Sequence, residues 1–478
     1  MHPTRLLAAF AVSAAIILLF SCSSTSEAPA LRPDATPPAD GPETPPVQSP
    51  AEPLPADPEN AAEVLESFYN GIDDTEAAIA ALQDADVSDM DADSRLVYAV
   101  LLRAEGRLDE ARDELEDIVL SNPEMASAWF NLALVEHAAG RGNERDAALS
   151  STIAADDSMV EAHTFRAALA SESENWPVAE AAYRRVLDLE PESVDALAGL
   201  AWVMAKNDQL EFALLYLNEA VELEPDNSYA LVDRSRVNVA LGNYNDAEDD
   251  LTAVIAMEPD VSWHYLDRTR IRLRHFKDYD GALEDLAAVE RLDPGNFFAQ
   301  VYLAGVHDEL GRYSLAREYY RKVTELRPDY IWAYMPLGKL AWMAGDFREA
   351  AEWYRRAAEE DDEAYTFALM EALSLQRNGS ERDAAPIFRR VLASLTQGST
   401  AYEVVRFCAE GGTDFYAVNA LNRESDETLR ERLWFYMGAA YENEGNNRGA
   451  EAVFERLSSR MGEMEYDLAR AALYGMDG

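Results

Sequence analysis

The search for chemistry in this chain starts at Arg270 and Arg274, two guanidinium groups four residues apart. At that spacing two side chains share one face of a helix. A planar guanidinium suits bidentate contact with a carboxylate or a phosphate. Such a pair recognises an anion and does not by itself make or break a bond. The six histidines (His2, His137, His163, His264, His275 and His307) stand apart, none at i,i+3 or i,i+4 from another and none in a glutamate-bearing zinc motif. No glycine-rich phosphate loop or elbow serine occurs. The acidic run from Asp84 to Asp89 fails as a calcium loop, because Asp89 stands where glycine is needed and Arg95 where the bidentate glutamate should be. The acidic cluster Glu359 to Asp362 reads as a solvated turn. Neither an enzyme nor a metal or cofactor site is expected.

What positions the arginines is a 34-residue beat. Alanines recur at one phase: Ala111, Ala179, Ala213, Ala247, Ala282, Ala316, Ala350 and Ala384. Twelve residues after all but the last comes Pro123, Pro191, Pro225, Pro259, Pro294, Pro328 or Asp362, and Asp157 holds the same phase twelve after Arg145. One gap, between Pro259 and Pro294, is 35. Composition is rich in helix formers and poor in β-branched runs. A helix-pair unit of this length cannot bury its apolar face alone, so neighbours must stack. The chain is 478 residues long and 48% hydrophobic, enough for a continuous core. Its formal charge of −48 repels nucleic acid and bare anionic lipid.

The first 21 residues read as an export signal: Arg5 is followed by an apolar stretch from Leu6 to Phe20, shorter than the roughly 20 residues a membrane span needs. Leu19-Phe20-Ser21-Cys22 resembles a bacterial lipobox, which implies lipidation at Cys22, a membrane anchor and placement in the cell envelope. Ser23, rather than aspartate, points by the family rule to an outer-membrane anchor facing the periplasm. Residues 22–58 hold eleven of the 21 prolines and almost nothing large, which predicts a disordered tether. Its 36 residues past Cys22 would reach at most ~110 Å. The other cysteine, Cys408, sits in an apolar helix segment and reads as a buried thiol.

The units themselves resemble the tetratricopeptide repeat family. In Val194–Asn227, Leu197, Leu200 and Ala201 fill positions 4, 7 and 8 of the first helix, Ala213, Leu217 and Ala220 positions 20, 24 and 27 of the second, and Pro225 position 32. Trp434, Gly438, Tyr441, Ala450 and Phe454 match at 4, 8, 11, 20 and 24, whereas Arg145 replaces the alanine at 20 in its unit. The resemblance implies an all-α fold: a right-handed superhelical solenoid of antiparallel helix pairs. Units start at Ala92, Ala126, Val160, Val194, Ser228, Ser262, Phe297, Ile331, Tyr365 and Glu431. The expected organisation is a solenoid over 59–398 with a degenerate first unit at Ala77, an irregular helical break over 399–430, and a final repeat with a capping helix over 431–478.

The family builds its concave groove from first-helix positions 2, 5, 9, 12 and 13. Projected onto this chain, these give Arg236, Trp263, Arg270, Leu273, Arg274, Phe298, Trp332, Met335, Lys339, Trp342 and Met343. The expected partner-binding set is Arg236, Trp263, Arg270, Arg274, Phe298, Trp332, Lys339 and Trp342, gripping an acidic or carboxylate-bearing peptide. Two readings stay open: the arginines contact a ligand or balance nearby acids, and the aromatics bind or only pack the repeats. Arg234 and Arg268 at position 7 are expected to pair with Asp250 and Asp285 of the second helices. The lysine and asparagine carboxylate clamp of chaperone-binding relatives is absent, since position 5 is Val232 and Leu266. The leading functional expectation is a non-catalytic, lipid-anchored envelope scaffold that binds protein or peptide partners. A solute-capturing lipoprotein that hands a small anionic or hydrophobic ligand to a transporter, and a surface adhesin, are the alternatives.

Overall fold

In the computed structural model the described residues are 79, 82, 90–360, 365–457 and 464–474. The expected signal segment, Cys22, the tether, the degenerate unit at Ala77, the run Asp84–Asp89 and Asp362 lie outside them. Among the described residues there are 23 α-helices and no strand. They fall into two compact units, one ending at Glu258 and the other beginning at Pro259.

Among the described residues the first unit holds five antiparallel pairs: α1 (Ala92–Ala104) with α2 (Leu108–Ser121), α3 (Ala126–Ala138) with α4 (Gly142–Ala155), α5 (Val160–Glu172) with α6 (Trp176–Leu189), α7 (Val194–Lys206) with α8 (Leu210–Leu223), and α9 (Ser228–Leu241) with α10 (Tyr244–Met257). The close-contact alanines Ala111, Ala179, Ala213 and Ala247 are wholly buried, which lets the paired helices approach. Where Arg145 replaces that alanine, a cleft of about 220 Å³ opens between α4 and α5, lined by Arg145, Leu149, Ile153, Arg166 and Ser173 among others. Each pair turns through one residue with positive φ. Gly106, Gly140 and Gly242 suit that conformation, whereas Glu174 (φ 56°) and Asp208 (φ 59°) adopt it against side-chain sterics.

The second unit continues with α11 (Ser262–Ile271) and α12 (Tyr279–Leu292), α13 (Phe297–Glu309) and α14 (Tyr313–Leu326), α15 (Tyr334–Met343) and α16 (Phe347–Glu360), and α17 (Tyr365–Arg377) and α18 (Glu381–Ser394). Two short helices, α19 (Thr400–Glu410) and α20 (Phe415–Arg423), occupy the stretch where the beat fails. Then come α21 (Glu427–Asn443) and α22 (Asn447–Leu457), and α23 (Met464–Tyr474) is the last described helix. Helix α21 begins four residues before the expected unit start at Glu431, because Asp426 caps it by accepting from the Leu429 amide at 3.0 Å.

Two irregularities have clear causes. The residue that stretches one repeat to 35 is absorbed as a π-helical turn over Arg272–Phe276, ended by Lys277 at φ 55°. Further on, Pro336 has no N–H to give the Trp332 carbonyl, so the chain enters α15 through a 3₁₀ turn over Ile331–Ala333. Glycine lets aromatic rings of the paired helix approach closely. A Cβ on Gly338 would lie 2.8 Å from Tyr354, and one on Gly438 2.5 Å from Phe454. Cys408 is buried, its thiol 3.6 Å from the Tyr436 carbonyl, and burial pushes its pKa up to about 12.

Candidate binding face

Helices α11, α13 and α15 are the first helices of successive pairs in the second unit, and they carry most of the expected partner-binding set. Trp263 and Phe298, each near the start of its helix, meet with ring centroids 5.9 Å apart. Phe298 also packs edge-on against Phe297 at 5.5 Å. Both Trp263 and Phe298 are half-buried, so each contributes to packing and keeps an exposed edge. Trp332 is 44% exposed and Met335 37%, since the 3₁₀ entry to α15 turns them outward.

The arginines divide. Arg270 is mostly covered and donates to Asp267 at 3.0 Å. Burial raises the hydroxyl pKa of nearby Tyr302, with the Arg270 charge opposing and Asp267 adding to the shift. Arg274 is exposed. It lies in the π turn, so Arg270 and Arg274 do not share one continuous α-helical face as their spacing predicts. Arg272, between them, points inward and donates to the Gly281 carbonyl at 2.9 Å and to Asp285 at 3.1 Å.

Both ion pairs expected between paired helices are present. Arg234 holds Asp250 through bonds of 3.0 and 2.6 Å in the first unit. Arg268 holds Asp285 through bonds of 3.0 and 2.6 Å in the second. Asp285 thus accepts from two arginines, and the π turn is fastened beneath the exposed face. Arg236 belongs to the first unit, is 59% exposed and donates to Asp233 at 2.9 Å.

Lys339 and Trp342 require correction as groove residues. Lys339 is only 7% exposed, and its ammonium donates to Asp308 at 2.9 and 3.0 Å and to Asp467 at 3.2 Å. Burial works against its charge, but the two carboxylates more than offset this and hold its pKa above the usual lysine range. Trp342 is equally buried, edge-on to Phe347 at 5.2 Å. For Lys339 the cause is in part α23. It does not merely cap the last pair: it packs on α22 and also reaches α21 and α15. Sequence reading missed Glu465 and Asp467, because a lone helix after the last repeat has no register to project; Arg432 stands at position 2 of the unit starting at Glu431 and was passed over.

Among the described residues there is no cluster of three or more His, Cys, Asp or Glu side chains that could hold a metal, and no helix is long and apolar enough to cross a membrane.

Family models of the tetratricopeptide repeat match residues 99–144, 162–228 and 272–331, and a second model of the same repeat matches 309–373. No curated protein matches the chain. Among solved structures, YrrB, described as a TPR protein with an unusual peptide-binding site, is 20% identical over 39% of this chain and 95% of its own, with a TM-score of 0.35. A tetratricopeptide repeat protein from Parabacteroides merdae is 15% identical over 52% of this chain and 97% of its own, at 0.38. Pseudomonas aeruginosa PilF is 17% identical over 45% and 97%, also at 0.38. The described residues form an all-α array of helix pairs, and the stretches 99–144, 162–228 and 272–373 of it are similar to the tetratricopeptide repeat.

Proposed function

We propose that this protein is a non-catalytic scaffold that binds protein or peptide partners through the first-helix face of its repeats. The observation that carries the reading is the ledge formed by Trp263 and Phe298, with Arg270 and the exposed Arg274 on the same helix and turn. Half-exposed aromatic rings beside guanidinium groups are typical anchors of protein interfaces. In a chain of net charge −48 they favour an acidic or carboxylate-bearing partner. Lipidation of Cys22, with residues 22–58 as a tether, would hold the repeats at the cell envelope and make envelope proteins the partners.

The test is capture of partners from detergent-solubilised envelopes by the full chain and by a variant carrying Trp263→Ala, Arg270→Glu and Arg274→Glu. Proteins held by the wild type and lost by the variant support the reading. Identical retained sets would show that binding lies elsewhere. Cys22→Ala should release the chain from membranes; a chain that stays membrane-bound without Cys22 would remove the anchor from the proposal.

A further inference from the structure

The seat of α23 shows what one stretch of the first-helix face accepts. Leu468 and Ala469 are wholly buried in the core that α23 shares with α15, α21 and α22. Its acids meet polar groups of the helices it covers. Glu465, itself buried, accepts from the Tyr436 hydroxyl at 2.8 Å and faces Arg432 at 3.3 Å. Asp467 accepts from Lys339 at 3.2 Å, and the Met464 sulfur accepts from the Tyr354 hydroxyl at 3.5 Å. This contact set spells a pattern: apolar residues at i, i+4 and i+5, with carboxylates at i+1 and i+3.

Two physical points favour reversible docking. A helix of eleven residues is unstable alone, so α23 depends on its seat. Much of that seat is polar, and buried ion pairs return little net stability after desolvation. The two cations, Lys339 and Arg432, complement the two carboxylates of the occupant in a chain that is otherwise strongly acidic.

We propose that the face formed by α15, α21 and α22 is a receptor for a short amphipathic helix with this acid-and-leucine pattern, held closed in cis by α23 and occupied in trans by a partner helix of the same pattern that displaces it. The proposal goes beyond the reading above and uses none of Trp263, Arg270 or Arg274, so either can fail without the other. A partner must outcompete a tethered segment whose effective concentration is on the order of millimolar.

The test uses the full chain and a fluorescent peptide with the sequence of residues 464–474. Leu468→Asp should undock α23 and raise peptide affinity at least tenfold over the wild type. Adding Lys339→Glu in that background should lower it at least tenfold again. Equal affinity of the wild type and Leu468→Asp chains, or indifference to Lys339→Glu, would overturn the proposal. Should Leu468→Asp compromise folding, the wild type alone decides: saturating peptide should speed amide exchange across 464–474 at least fivefold while α15 stays protected. Unchanged exchange at saturation would overturn it equally.

Discussion

Two stretches of the second unit carry basic side chains at the same first-helix position and use them in opposite ways. Arg270 lies two turns along the helix from the half-exposed Trp263, bonded to its own helix neighbour Asp267. Lys339 lies under α23, clamped between Asp308 and Asp467. The register that places both is identical. The difference is one additional helix, which turns a cation paired within its own helix into a buried anchor between helices. A repeat position therefore names a direction, and accessibility is decided by what else in the chain covers that direction.

The comparison can be broken from beneath the open stretch. Asp285→Ala removes the shared acceptor of Arg268 and Arg272 and should cost about 4 kcal/mol, as expected when a buried ion pair loses one partner. Urea unfolding would read it, and a loss below ~1 kcal/mol would mean the π turn is fastened by other contacts. Under α23, Lys339→Ala leaves two carboxylates facing each other and should cost about 3 kcal/mol. Arg270→Ala should cost no more than ~1 kcal/mol, since its pair is confined to one helix. Equal losses at the two sites would erase the distinction between the stretches.

Gly338→Ala would press a methyl group into the Tyr354 ring and should cost about 2 kcal/mol by overpacking, read as a lower thermal midpoint.

Stability should also respond to pH with opposite signs. Although burial opposes it, bonds from Arg321, Trp353 and Arg317 hold Glu349 down to about 2, so its contribution is complete above about 4.5 and is lost as pH falls toward 2. Lys339 is raised instead, so its contribution is complete below its unfolded value near 10.5 and is lost as pH climbs through the folded value. The acid limb of a stability–pH profile should flatten in Glu349→Gln, and the alkaline limb in Lys339→Met. The smallest effect is a gain: Lys277→Gly should relieve the left-handed turn after the π segment by about 0.5–1 kcal/mol.

Much of the fold is legible in the sequence because the close-contact alanine and the terminating proline act locally. First helices begin at Ala92, Ala126, Val160, Val194, Ser228, Ser262, Phe297 and Tyr365, where the register puts unit starts, and the exceptions have visible causes. Pro336 delays α15, and the cap at Asp426 lengthens α21. The ion pairs Arg234–Asp250 and Arg268–Asp285 were legible for the same reason, since both partners sit at set positions of one helix pair. Arg274 was not, because a single inserted residue shows only as a gap of 35 and does not say where the helix takes it up. Lys339 was not, because what buries it comes in part from a helix more than a hundred residues downstream.

By itself the sequence determined the periodic core: helix pairs that cannot stand alone, small residues where they cross, and the positions that face away from the partner helix. Those outcomes follow from short-range sterics and the period of the helix. Only the tertiary structure decided which of the outward positions stay open. The docking of α23 balances buried leucine and alanine against the desolvation of Glu465, Asp467 and Lys339, and no periodicity in the chain encodes that balance.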